Sequence, residues 1–123
     1  VEALREAAET APETGARALG SLGAAAARED RAAISEAAAG SLIRLAEKTD
    51  FEVGTSSEVS NALMRLSAAA RADQREDAAG ALREQSLEVF RQAEERALRD
   101  EPDRVMELRE RSFLAHELPP PQR

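Results

Sequence analysis

The chain has 123 residues, no cysteine and a formal net charge of −7, so it has the length of one domain. The lack of cysteine excludes disulfides and thiolate metal sites. The negative charge argues against non-specific binding to nucleic acid or to an anionic membrane, because both need a positive field. Ala, Leu, Glu and Arg dominate, whereas Tyr and Trp are absent. Since the four common residues are strong helix formers, the composition predicts an all-α protein.

Targeting and membrane signals are missing from the sequence. No apolar stretch approaches the roughly 20 residues that a spanning helix needs. The first residues lack the charged-then-apolar pattern of a signal peptide. We therefore expect a soluble, cytoplasmic segment without direct membrane insertion. The chain begins at Val1 rather than at a methionine, which is compatible with a piece of a longer protein.

The first half of the chain contains legible helix boundaries. Residues 1–8 have the spacing of the tail of a helix. Thr10 and Glu13 form a capping box with Pro12 in the first turn, which predicts a helix to about Arg28. Asp30 is placed to cap the next helix, over residues 31–48, which carries an apolar stripe. The segment 49–57 contains a glycine and is predicted to be a loop.

The second half repeats this arrangement. Thr55 and Glu58 form a second capping box, which predicts a helix to about residue 72. Asp73 occupies the cap position of the longest helix, which is expected to end near residue 99. Pro102 is predicted to lie in the first turn of a last helix that ends near His116. Residues 118–123 include three consecutive prolines and indicate a polyproline-like tail. We assign residues 1–117 to a single helical domain and 118–123 to this tail.

An internal repeat of about 45 residues relates the two central hairpins, 10–49 and 55–99. The best matched positions are Thr10 and Thr55, Glu13 and Glu58, Leu19 and Leu63, and Leu22 and Leu66. This period and layout resemble HEAT-type and armadillo-type repeats, which implies five to six helices in stacked antiparallel hairpins. No family-specific motif accompanies the resemblance, so it implies no function. Chance similarity of Ala-rich helices is the alternative, and two units are few for an array, so a closed helical bundle is the other architecture.

The glycines do not form a phosphate-binding loop. Gly15, Gly20 and Gly23 lie within a helical pattern, without a preceding strand or a following lysine. We interpret them as points where a neighbouring backbone approaches closely. Gly40 and Gly80 invite the same interpretation.

The sequence offers no convincing candidate for a metal ligand or a catalytic residue. His116 is the only histidine, so a metal site there is not expected, and its position suits the dipole at a helix end. Asp73 and Asp77 lie four residues apart, but ferritin-type centres need Glu-x-x-His motifs from two helices. The capping role for Asp73 is therefore favoured. We assign no catalytic residue, no cofactor-binding residue and no metal ligand.

Most charged residues are expected on solvated helix faces. The predicted i, i+4 ion pairs are Glu13/Arg17, Glu95/Arg99 and Glu107/Arg111. The stretch 91–111 is the most charged, and we interpret it as an exposed outer helix or a partner-docking surface. Phosphate contacts by Arg104, Arg109 and Arg111 are disfavoured because acidic residues alternate with them.

Three functions follow, in order of preference. The first is a non-enzymatic protein–protein interaction or scaffold module that binds another protein or a second copy of itself. The second is a cytosolic regulatory domain of a larger, membrane-bound protein. The third is a helical bundle that binds a small ligand, which would need a pocket with convergent polar groups. None of them involves a cofactor or nucleic acid.

Overall fold

The computed structural model describes residues 11–28 and 32–113, and within these ranges it contains helices but no strand. The α-helices are α1 (Pro12–Arg28), α2 (Ala32–Lys48), α3 (Val53–Ala72), α4 (Glu76–Asp100) and α5 (Val105–Arg111), with a 3₁₀ turn over Pro102–Arg104 before α5. The prediction of an all-α fold is confirmed. The predictions for residues 1–10, Asp30, His116 and 118–123 lie outside the described residues. The last helix, predicted to run from Pro102 to near His116, is shorter: it begins at Val105 after the 3₁₀ turn and ends at Arg111, because the backbone of Ser112 is extended.

Helix α3 is the centre of the molecule, because it packs against α1, α2, α4 and α5. Helices α1 and α2 form one hairpin, and α3 and α4 form the next. The two hairpins meet mainly through α1 and α3, whereas α2 and α4 touch only sparsely. The pair of hairpins is therefore closed on one side and open on the other. The duplication of the hairpins stays a prediction.

Two apolar clusters fill the interior. The larger cluster contains side chains from all four helices α1, α2, α3 and α4, and it is centred on Leu19, Leu42, Leu63 and Leu66. The smaller one surrounds Phe90 and holds α5 against α3 and α4; its other buried members are Val53, Ala93, Ala97, Val105 and Leu108. Burying apolar surface contributes about 25 cal/mol per Å². The small cluster thus gives the short α5 a stability that an isolated helix of its length would not have.

Glycines allow α1 to approach α3 closely. A Cβ on Gly20 would lie 2.8 Å from the Cβ of Ala62, and one on Gly23 would lie 2.5 Å from Cδ2 of Leu66. The close-approach interpretation is confirmed at these two positions. It is wrong for Gly80, where a Cβ would meet nothing within 4 Å.

Gly40 also departs from that interpretation. A Cβ there would make only an ordinary contact, 3.8 Å from the guanidinium of Arg44. The glycine faces open space rather than a neighbouring backbone. Gly40 lies on the open side of the hairpins, between α2 and α4.

Small hydroxyl residues occupy the crossing of α3 and α4. Ser86 Oγ donates to the carbonyl of Ser60 at 2.8 Å, and the two hydroxyls are also 2.8 Å apart. About two helical turns further along α3, Ser67 Oγ donates to the carbonyl of Ala79 at 2.7 Å. Buried hydroxyls need such partners. These interhelical bonds satisfy them while keeping the two backbones close.

The predicted capping box at Thr55 is wrong. Helix α3 begins at Val53, and the carboxylate of Glu52 accepts the backbone N–H of Thr55 at 2.8 Å. Because an acidic side chain three residues upstream already caps the helix, Thr55 lies inside the first turn and is buried. Glu58 is directed instead toward Arg17. The loop predicted over 49–57 is correspondingly shorter.

The predicted cap role of Asp73 is also wrong. Asp73 is the C-cap of α3, where its backbone N–H donates to the carbonyls of Ala69 and Arg71. Helix α4 begins at Glu76, and its N-cap residue, Arg75, makes no side-chain capping bond. The Asp73 carboxylate pairs with the Arg75 guanidinium at 3.2 Å. Asp77 is exposed in the first turn of α4.

The turn from α2 to α3 has an unusual backbone. Asp50 and Phe51 have φ angles of 52° and 55°, in the left-handed region that bulky residues rarely adopt. The N–H of Phe51 donates to the carbonyl of Ala46 at 2.8 Å. The half-buried ring of Phe51 packs against both apolar clusters. This burial offsets the cost of the backbone conformation.

Candidate functional site

A groove runs between α2 and α4, on the side where the two hairpins do not close. Its first part holds about 290 Å³ and begins where both helices begin; its second part holds about 310 Å³ and extends past Phe51. Ile43 and Gln85 line both parts, so the groove is continuous. Both parts are open to solvent along their length, unlike an enclosed small-molecule cavity.

The floor of the groove is apolar and belongs to the main core. Ala39 and Val89 are buried members of the large cluster, and Ile43, Leu82 and Phe51 are half-buried side chains packed against it. Small side chains line the rest of the first part, where Gly40, Ala78 and Ala81 leave room. The groove therefore exposes an apolar strip that the adjacent helices leave uncovered.

The length of the groove follows from helix geometry. Its wall on α2 runs from Ser35 to Glu47, which corresponds to about 18 Å at 1.5 Å per residue. The lining on α4 covers a similar length and ends at Gln92. The strip thus matches about three turns of a helix.

The rim of the groove is acidic. Glu36, Glu47 and Glu88 line it and are exposed. The single basic residue among the lining side chains is Arg75, which already pairs with Asp73.

A second polar feature lies on the opposite side, where α5 is held by ion pairs. Arg104 Nη1 lies 3.0 Å from Glu52 Oε1, and its Nε lies 2.8 Å from Glu107. Burial by itself raises the pKa of Glu52, but the backbone N–H groups of Thr55 and Gly54 and the Arg104 guanidinium outweigh it and lower the pKa to about 2. The same carboxylate therefore caps α3 and anchors the segment before α5.

Arg111 joins α5 to α1 and α3. Its guanidinium lies 2.6 Å from Glu13 and 3.2 Å from Glu58, and Glu58 also accepts from Arg17 at 3.1 Å. Burial raises the pKa of Glu58, but the two arginines together lower it below its usual range. The hydrogen bond to Glu13 raises the pKa of Arg111. This cluster closes on itself and leaves no charge directed at a ligand.

Two further contacts complete the docking of α5. Arg109 makes a two-point ion pair with Glu94, at 2.7 and 3.0 Å, and its guanidinium lies 5.4 Å from the ring centre of Phe90. The Asn61 side chain donates to the carbonyl of Arg111 and accepts the N–H of Phe113. An amide that satisfies one donor and one acceptor fixes the end of the helix.

The structure revises the predicted charge pairs. Arg17 pairs with Glu58 and Arg99 with Asp100 rather than with the predicted i, i+4 partners. The Glu107–Arg111 pair forms only at 4.0 Å. The exposed-face prediction for stretch 91–111 is wrong for Arg109, whose side chain is only 11% exposed, whereas Arg91 and Arg99 are exposed as predicted. Arg104, Arg109 and Arg111 bind carboxylates on other elements of the fold, which local spacing does not reveal.

Neither a metal-binding cluster nor a membrane-spanning helix is found in the described part of the chain. Among residues 11–28 and 32–113, no three His, Cys, Asp or Glu side chains are arranged to hold a metal ion. No helix in these ranges is long and apolar enough to span a bilayer. The sequence did not predict the groove. Ile43 lies beside the apolar stripe that Leu42 and Leu45 form on α2, and Leu82 and Val89 were expected in the core, on the apolar stripe of α4.

Comparison with known proteins identifies no relative of this chain. No protein-family model, no curated protein and no solved structure matches the chain.

Proposed function

We propose that the protein is a non-catalytic interaction module that binds a helical segment of another protein between α2 and α4. The single observation that carries this proposal is the apolar groove floored by Ala39, Ile43, Leu82 and Val89. A helix laid into such a groove buries its apolar face on the partner, a recurring mode of peptide recognition.

The size of the groove sets the expected strength of binding. A strip of about 18 Å accommodates roughly 12 residues of helix. The interface is then at the small end of specific complexes, which is typical of transient interactions. We expect dissociation constants in the micromolar range.

The experiment selects binders without assuming their sequence. Peptides selected from a displayed random library on the full chain are titrated into the ¹⁵N-labelled protein. The proposal expects shifts at the backbone amides of Ala39, Ile43, Leu82 and Val89. Binders that shift only other surfaces, or a selection that yields no binder, would overturn it.

A pair of glycine substitutions provides the matched control. Gly40→Leu places a side chain in the groove without a clash, because a Cβ there meets only Arg44 at 3.8 Å. Gly80→Leu makes the same change on the opposite face of α4, where a Cβ meets nothing within 4 Å. We expect at least tenfold weaker peptide binding for Gly40→Leu and unchanged binding for Gly80→Leu. Equal binding by both variants would contradict the groove as the site.

A further inference from the structure

We infer that the partner segment is an amphipathic helix whose apolar face is flanked by lysine or arginine. This inference rests on the proposed function and names the chemistry of its partner. The observation behind it is the acidic rim of the groove, whose carboxylates form no ion pair with the described basic side chains.

The charges around the groove are arranged on both walls. Glu36 and Glu47 lie on α2, and Glu88 lies on α4. Within the described ranges, no basic side chain lies within 4.0 Å of these three carboxylates. Glu88 accepts a hydrogen bond from a neutral donor, the side-chain amide of Gln92, at 2.9 Å. The rim therefore presents three exposed negative charges along one strip.

This pattern differs from that of the other acidic residues near the helix ends. Glu13, Glu52, Glu58, Glu94 and Glu107 all pair with arginines of the same chain. Within the described ranges, Glu36, Glu47 and Glu88 make no ion pair, as is also true of the exposed Glu84, Glu95 and Glu110. The rim differs from those other glutamates because its three carboxylates flank an apolar groove. Arg44 lies at the edge of the groove, where its guanidinium is 3.8 Å from the Cβ position of Gly40 and 3.4 Å from the hydroxyl of Ser41, and it makes no ion pair with the three rim carboxylates. Basic groups on a partner would supply the missing complement.

The same charges argue against a second copy of the chain as occupant. The protein carries a net charge of −7, and two acidic rims facing each other would repel. A partner helix with apolar residues at i, i+3 or i+4, and i+7 would fill the floor, while basic residues on its two sides would reach the α2 and α4 rims. Attraction of this kind gives specificity and faster association more than affinity.

The test uses two synthetic helical peptides of 14 residues with the same apolar face, one flanked by Lys and the other by Glu. Each is titrated into the full chain at low and high NaCl. We expect the Lys-flanked peptide to bind at least about tenfold more tightly at low salt, and this difference to shrink as salt screens the rim. Sedimentation of the chain alone should show a monomer.

A charge variant assigns the effect to the rim. The triple change Glu36→Gln, Glu47→Gln and Glu88→Gln should weaken Lys-flanked binding by about tenfold, at roughly twofold for each exposed pair. A control triple, Glu84→Gln, Glu95→Gln and Glu110→Gln, makes the same change in net charge at exposed positions outside the groove. It should leave the affinity unchanged.

The outcomes separate the two proposals. If both peptides bind the groove equally, or the two triple variants behave alike, the basic partner is refuted while the interaction module stands. If neither peptide binds and the library yields no groove binder, both proposals fail. A concentration-dependent dimer that Gly40→Leu abolishes would show that a second copy is the occupant and would also overturn the basic partner.

Discussion

A glycine-to-alanine substitution should have opposite effects on stability at Gly80 and at Gly20, because only Gly20 lies where α1 approaches α3 closely. Gly80→Ala in α4 replaces an exposed glycine whose added Cβ meets nothing within 4 Å. Because alanine loses less backbone entropy than glycine in a helix, the free energy of unfolding should rise by about 0.5–1 kcal/mol. The melting temperature should rise by about 2–4 °C for a chain of this size.

Gly20→Ala gains the same helix propensity but introduces a clash. The added Cβ would lie 2.8 Å from the Cβ of Ala62 and 3.2 Å from its Cα. The second contact is to backbone, so α1 must move away from α3 rather than a side chain turning aside. Such overpacking costs about 1–3 kcal/mol. We expect a net loss of about 1–2 kcal/mol, so that the two variants differ by about 2–3 kcal/mol.

The assay is urea denaturation followed by circular dichroism at pH 7, with the slope compared between variants to verify that unfolding exposes the same surface. Adding Ala62→Gly to Gly20→Ala removes the closer of the two clashing atoms. The two changes should therefore couple favourably in a double-mutant cycle. If Gly20→Ala stabilised the protein as much as Gly80→Ala, the close packing of α1 on α3 would be refuted.

Three other substitutions test individual contacts. Glu52 has a folded pKa of about 2 against an ordinary 4.5, so its ionised form contributes stability that is present above about pH 4.5 and lost toward pH 2. Glu52→Gln should lose less stability than the wild type between pH 7 and pH 3 in urea titrations, and an equal loss would contradict this. Gln74 is exposed and has a φ of 61°, in the left-handed region that glycine adopts without steric cost. Gln74→Gly should therefore stabilise the protein by about 0.5–1 kcal/mol, and a lower melting temperature would refute that. Asn61→Ala removes two hydrogen bonds and should destabilise by about 1–2 kcal/mol. Amide exchange in α5 should accelerate; unchanged exchange would show that Asn61 does not hold this helix.

The sequence by itself was sufficient to predict the all-α class and most helix limits. The ends predicted near residues 28, 48, 72 and 99 agree with the observed ends to within one residue. These features depend on local propensity and on apolar periodicity, which act over a few residues. The close-approach role was predicted correctly for Gly20 and Gly23 but wrongly for Gly40 and Gly80, because a glycine within a helical pattern does not show which face of the helix a neighbour covers.

Tertiary structure decided the roles of the charged and capping residues. Thr55 and Asp73 have side chains suited to N-caps, but the helix starts lie elsewhere, since Glu52 caps α3 and Asp73 ends it. An ion pair such as Arg111 with Glu13 joins residues 98 positions apart. No local spacing contains that information, because the attraction depends on where the chain brings the two charges together.

The groove is likewise a tertiary property. Ile43 and Leu82 would be covered if α2 and α4 packed as closely as α1 and α3 do. Glycines and alanines draw α1 onto α3, and the two other helices are left apart, so apolar side chains that could have been core remain accessible. The periodicity of one helix identifies its apolar residues, but only the packing of both hairpins determines which of them the chain covers and which it leaves open.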